Sequence, residues 1–219
     1  MKTLSGKYVY LLNSQPTGVS ETFCRESDSA VITTKSTRDA SVFGSTISVE
    51  TEEKDGQFTI ADIRFSGQDI VSAEYQAFEG GFHFTRSING DTIDRRDTSA
   101  TKGTILFPLM RVFQGPTILE VAANNSETNV LVPFIENTFD TSRLLTPTFD
   151  KRSAKQIGTD GDIRIFNYRS KHYDDASEFH INREGLLVYY RFPQTPEKIW
   201  EVRLENLQTA PKPFDQTAR

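Results

Sequence analysis

The sequence predicts a mainly β protein: one large curved antiparallel sheet or open barrel wrapped around one or two short helices. Three observations carry this expectation. Short runs of β-branched and aromatic residues alternate with polar ones at a period of two, as half-buried strands do. The runs are separated by Asn-Gly, Asp-Gly and Gly-Gly pairs, which favour tight hairpin turns. Apolar residues take a helical spacing only in mid-chain, so the wide apolar face of a sheet must curl on itself or close over that segment.

Lys7–Leu12 is the first expected strand. Asn13–Gly18 turns the chain, and Val19–Arg25 returns as a hairpin partner. Ala30–Ser36 is the third strand. Ser45–Glu52 places Ile47 and Val49 on one face, with Thr46, Ser48 and Glu50 on the other. The Asp55-Gly56 turn leads into Phe58–Phe65, followed by Ile70–Phe78. Gly80-Gly81 turns the chain into Phe82–Ile88, and Asn89-Gly90 turns it again into Asp91–Arg96. Residues 45–97 therefore read as a meander of adjacent antiparallel strands.

The middle differs. Within Gly103–Asn125, the spacing of Ile105, Leu106, Leu109, Val112 and Phe113 suits a helix face that starts at Pro108. Pro116–Ala123 is a second helical stretch. Val130–Ile135 reads as a strand in which Pro133 suggests an edge or a bulge, and Phe139–Asp150 reads as irregular. Alternation then resumes in Gln156–Thr159, Asp162–Ser170, Ser177–Asn182, Leu186–Phe192 and Lys198–Leu207. The expectation is about eleven to thirteen strands. They form a single β-rich domain over 1–208, with a disordered tail at 209–219 that contains Pro211 and Pro213.

A chain of 219 residues can bury a substantial core in one domain. With 30 acidic and 25 basic residues the net charge is -5, which argues against a broad electrostatic grip on nucleic acid. One cysteine, Cys24, rules out an internal disulfide and a multi-cysteine metal site. The longest apolar runs are broken by Pro108, Arg111 and Pro133, short of the roughly 18 residues of a membrane helix, so no membrane span is expected. No apolar leader follows Lys2, which points to the cytoplasm, a mature periplasmic form being the alternative. The sequence does not set the oligomeric state.

The opening Gly6-Lys7-Tyr8-Val9-Tyr10 with Gly18 forms one recognisable pattern. The closing run from Glu178 to Leu187, in which a polar-edged strand turns at Gly185 into an apolar one, forms another. Together they resemble the wrapped antiparallel sheets of LolA/LolB-like lipoprotein carriers and of VioE-like enzymes. The resemblance spans most of the chain as a pattern of elements but includes no catalytic motif, so no functional residue is carried over. It implies a concave apolar face able to hold a lipid, an acyl chain or an aromatic metabolite.

Candidate site residues follow from placing polar groups beside that face. Glu178 and His180 share one strand face about 7 Å apart, near enough for a carboxylate-oriented base. The same pair also reads as two polar residues on a wet face. His83, Tyr168, His180 and Glu178 are the candidate catalytic groups. Arg86 and Arg95, either side of the Asn89-Gly90 turn, form a candidate anion clamp, although alternating charges on a strand pair read first as cross-strand ion pairs on a wet face. Tyr189, Phe84 and Phe113 are candidate ligand-contacting rings among 16 Phe, 7 Tyr and 1 Trp. No cofactor is expected, because there is no G-x-G-x-x-G and no Walker loop. With three histidines and no H-E-x-x-H, no metal is expected either. The functional expectation is a hydrophobic or aromatic small molecule held in the cavity of a curved sheet. Its most concrete form is a cofactor-independent cyclase or isomerase of natural-product biosynthesis, and a lipid or lipoprotein carrier is the alternative.

Overall fold

The computed structural model describes residues 2–28, 30–124, 126–174 and 177–211. Two-residue turns generate most of it. Asn13 and Ser14, Asp55 and Gly56, and Asn89 and Gly90 all take positive φ, the turn geometry whose twist matches that of paired strands. Between these turns run β1 (Lys2–Leu12), β2 (Gln15–Asp28), β3 (Val31–Ala40), β4 (Ser45–Lys54) and β5 (Gln57–Ser66). β6 (Ile70–Phe78), β7 (Gly81–Ile88) and β8 (Asp91–Ser99) complete the first wing. After the two-residue β9 (Ile105–Leu106) come a short 3-10 turn at Arg111–Phe113 and the helix α1 (Gln114–Ala123). The second wing is β10 (Thr128–Pro133), β11 (Pro147–Asp160), β12 (Ile163–Arg169), β13 (Glu178–Ile181), β14 (Leu187–Thr195) and β15 (Lys198–Pro211).

These strands form one open, curved sheet in the order β8-β7-β6-β5-β4-β3-β2-β1-β15-β14-β13-β12-β11-β10-β9. Neighbours are antiparallel except β9 and β10, which run parallel. Every hydrogen-bonded neighbour is also a sequence neighbour but one: β1 joins β15, with Tyr10 opposite Val202. The mainly β, curved-sheet expectation is met. The strand count is fifteen among the described residues, above the eleven to thirteen expected. The two-residue β9 is a strand without a counterpart among the expected ones, and β11 is longer than the expected Gln156–Thr159, because its charged run Asp150-Lys151-Arg152 hid its pairing with Asn129 and Thr128. Thr209 and Ala210, placed in the tail by the sequence, pair with Leu4 and Thr3 at the end of β15. The tail beyond residue 211 lies outside the described residues.

The buried face collects alternate residues of both wings: Tyr8, Phe23, Val49, Ile63, Tyr75 and Phe84 from one, Phe166, Phe179, Tyr190 and Val202 from the other. Segment 105–123 plugs the concavity with Phe107, Met110, Val112, Phe113, Ile118 and Val121. The helix does not start at Pro108 as the spacing predicts. Leu109 takes φ 67, a left-handed conformation that stops a helix. Its carbonyl accepts a 2.7 Å hydrogen bond from Arg38 Nη2, and the Arg111 amide donates to Glu21 Oε1 at 2.6 Å. The sheet therefore takes up backbone groups that a longer helix would have paired internally. At α1 itself, a Cβ on Gly115 would stand 2.2 Å from the Gly185 carbonyl oxygen, so only glycine lets the helix press this closely on the β13–β14 turn.

Candidate functional site

The centre of the concave side is built on Glu21. Its period-two neighbours on β2 are Val19 and Phe23, so it points inward with them, and its side chain is 0% exposed. A carboxylate in that position must be paired and hydrogen-bonded. Arg38, opposite Glu21 in the β2–β3 register, donates from Nη2 at 3.1 Å and from Nε at 3.3 Å. Tyr10 Oη donates at 3.0 Å, Ser36 Oγ at 3.4 Å, and the amides of Arg111 and Val112 donate to Oε1 at 2.6 and 3.4 Å. Burial pushes the Tyr10 phenol up to about 12, against the pull of Arg38.

Arg111, delivered by the 3-10 turn, reaches across to the second wing. Its guanidinium donates to Gln114 Oε1 at 3.2 Å, and to the hydroxyls of Tyr173 and Tyr190 at 3.3 Å each. It also lies 4.8 Å over the Tyr190 ring, a cation–π distance. Arg152 on β11 donates from Nε to Asp150 Oδ2 at 2.9 Å and from Nη1 to Tyr168 Oη at 2.7 Å. Tyr173 stands among Tyr168, Phe179, Tyr190 and Phe192, with ring centroids 5.1–6.2 Å away.

Between these groups and the loops above them lies a pocket of about 390 Å³, within the range of roughly 300–1,000 Å³ usual for small-molecule sites. Phe107, Leu109, Val132, Phe134, Ile135 and Phe149 supply its apolar walls, while Arg38, Arg111, Arg152 and Tyr173 supply polar atoms. Phe149 is 48% exposed there. At the rim Lys171 Nζ and His172 Nε2 meet Glu136 Oε1 at 2.7 and 3.2 Å, and Arg143 lies 4.4 Å over the Phe134 ring. A second hollow of about 520 Å³ sits on the outer face of β3–β7. Its lining is mostly Ser, Thr and charged residues, among them Lys35 and Glu50, which pair with each other at 2.7 Å, and it includes no aromatic ring. Among the described residues, no group of three or more His, Cys, Asp or Glu could hold a metal ion.

The nine residues singled out from the sequence do not share one site, although Glu178, His180 and Tyr189 are neighbours. Tyr168 is fully buried behind Arg152, and burial pushes its phenol up to about 12 against the pull of that arginine. His83 lies exposed on the outer face of β7, 2.7 Å from Asp97 and stacked on Phe78. His180 and Glu178 share the outer face of β13 with a 3.7 Å gap, too long for a hydrogen bond, and Tyr189 packs edge-on to His180. Tyr189 donates to Glu201 Oε1 at 2.9 Å. Phe84 packs on Tyr75 and Phe113 on Phe58, both inside the core. Arg95 is exposed on β8. Arg86 turns inward and donates to the backbone carbonyls of Thr141, Ser142 and Leu144. The two arginines therefore face opposite ways. The pocket residues Arg38, Arg111, Arg152 and Tyr173 carry no local motif; the available signal was charge in apolar phase, as at Glu21 between Val19 and Phe23.

Tyr173 gives the site a titration signature. Burial alone would raise its phenol, but Arg111, with Arg152 and Arg38 beyond it, outweighs burial and holds it below its ordinary value. In an alkaline titration followed by phenolate absorbance, one phenol is expected to ionise below about 10, and Tyr173→Phe is expected to abolish that early phase. In that window the folded protein binds fewer protons than the unfolded chain. This group therefore makes stability rise with pH up to the ordinary tyrosine value and stay constant above it. An unchanged early phase in the variant would refute the assignment.

The chain shares a β-barrel-like fold. A crystal structure of a beta-barrel-like protein of domain of unknown function DUF1849 from Brucella abortus matches 95% of this chain and 98% of its own. The TM-score is 0.51 and the identity 10%, so the likeness is one of fold. A DUF1089 family protein from Pseudomonas aeruginosa is more distant, with a TM-score of 0.42 and 8% identity over 77% of this chain and 87% of its own. No protein-family model matches the sequence, and no curated protein is similar to it. Among the described residues no helix is long and apolar enough to cross a membrane.

Proposed function

We propose that this protein binds a hydrophobic or aromatic small molecule in the pocket between the central plug and the second wing. The observation that carries the reading is the pocket itself: about 390 Å³, walled by Phe107, Phe134 and Phe149, with a few converging polar groups. An open curved sheet of β-barrel-like fold supports it, because such a sheet leaves a concavity that the plug fills only in part. The resemblance to LolA/LolB- and VioE-like wrapped sheets points the same way. Holding is favoured over chemistry, since His83, His180 and Glu178 all lie away from the pocket. If the ligand is also transformed, the reaction belongs to the cofactor-independent cyclase or isomerase class, with Tyr173 and His172 as the proton-carrying groups that line the site.

The test is a fluorescence titration with the neutral apolar probe N-phenyl-1-naphthylamine. Saturable binding at one site is expected. Val132→Trp, which fills the pocket, is expected to weaken it about tenfold or more. Ile157→Trp, at a position exposed on β11, serves as the control and leaves binding unchanged. Absence of saturable binding, or equal binding by both variants, would remove this reading.

A further inference from the structure

We propose that the occupant of this pocket carries an anionic head, a carboxylate or a phosphate monoester, on its apolar body, and that Arg111 receives that head. The inference deepens the small-molecule reading and rests on it.

Five cationic side chains line the pocket: Arg38, Arg111, Arg143, Arg152 and Lys171. Two carboxylates line it, Glu136 and Asp150, and Glu21 is a third behind the wall. Three of the cations are spent on these acids: Arg38 on Glu21, Arg152 on Asp150 and Lys171 on Glu136. Arg143 is exposed at the rim, where solvent screens it. That leaves Arg111. Glu21 takes its backbone amide, not its guanidinium, and no carboxylate pairs with that guanidinium among the described residues. Its partners are one amide oxygen and two phenols, and its Nε is buried with no hydrogen-bond partner.

The Arg111 guanidinium is half-buried, its Nε is shut off from solvent, and its partners are all neutral, an unfavourable setting for a charge. An anion entering the pocket would supply the missing charge. The planar fork of arginine suits carboxylate and phosphate oxygens, and the Tyr173 and Tyr190 hydroxyls beside it can donate to the same group. A neutral head would leave the charge uncompensated, and a cationic head would be repelled. The walls of Phe107, Phe134 and Phe149 then hold the apolar body.

The experiment is displacement of N-phenyl-1-naphthylamine from the full chain by decanoate, decyl phosphate and 1-decanol, each kept below its aggregation concentration. At least one anion is expected to bind about 10- to 100-fold tighter than the alcohol, and the tighter of the two names the head group. Arg111→Gln is expected to erase that preference while leaving 1-decanol affinity within about threefold; Arg111→Lys retains part of it. If the alcohol binds the unaltered protein as tightly as both anions, the inference fails while the small-molecule reading stands. If a folded Arg111→Gln variant keeps the full preference, the assignment to Arg111 fails. If the probe never binds, the underlying reading fails first. The comparison of head groups on the unaltered protein decides the question even if the variants do not fold.

Discussion

Glu21→Ala is expected to destabilise the protein by about 3–5 kcal/mol in chemical denaturation, the usual loss when one partner of a buried ion pair is removed. Three consequences combine. Arg38, only 16% exposed in its side chain, loses its carboxylate. The Tyr10 hydroxyl and the Arg111 amide lose their acceptor. The junction between sheet and plug loses the carboxylate that accepts hydrogen bonds at the entry to the 3-10 turn and α1. Hydrogen exchange should localise part of the damage, with amides of 109–113 losing protection before those of β4–β6. Glu21→Gln keeps the shape and one acceptor oxygen but not the charge, and should cost less than the alanine change. A loss under about 1 kcal/mol for Glu21→Ala would mean that the plug is seated by apolar contact alone.

The second large effect is expected at Arg86. Its guanidinium donates to the carbonyls of Thr141, Ser142 and Leu144 at 2.7–3.2 Å, and Tyr75 donates to the Leu145 carbonyl at 2.6 Å. Together they tie the 141–145 loop to the first wing, across the concave side from the strands that carry it. Leu144 and Leu145 are fully buried beneath that tie. Arg86→Leu should cost about 2–4 kcal/mol, since hydrogen bonds to charged groups contribute roughly 1.5–3 kcal/mol each and do not add. Limited proteolysis should then cut within 136–146 faster than in the unaltered protein. Unchanged cutting and an unchanged melting temperature together would show that the arginine is incidental. The expectation of an anion clamp from Arg86 and Arg95 gives way here to a brace on backbone carbonyls.

The strands were legible because their signals are local. Asn89-Gly90 and Asp55-Gly56 mark turns, and Ile47 and Val49 mark a buried face whatever the rest of the chain does. The helix boundary was not legible, because Arg38, seventy-one residues away, holds the Leu109 carbonyl. The pocket was not legible for the same reason. Arg38, Arg111, Arg152 and Tyr173 come from β3, a 3-10 turn, β11 and a loop, and only the curl of the sheet brings them to one cavity. Residue chemistry drew attention to His83 and His180, but strand phase sends both outward. Tyr168 does lie on the inner face, yet it stands behind Arg152 and does not line the pocket.

The β1–β15 pairing sets a timetable for biosynthesis. Asn13 and Ile199, joined at that seam, are 186 residues apart. At about 5–20 residues per second, the ribosome needs on the order of 10–40 s to deliver the partner of β1. The first wing is a run of hairpins and can assemble as it emerges, with β1 left as a nascent edge of open hydrogen-bonding groups beside the buried-phase rings of Tyr8 and Tyr10. The long edge most exposed to mispairing in the half-made chain thus becomes the middle of the sheet, and it is sealed by β15, the strand farthest from it in sequence among the described residues.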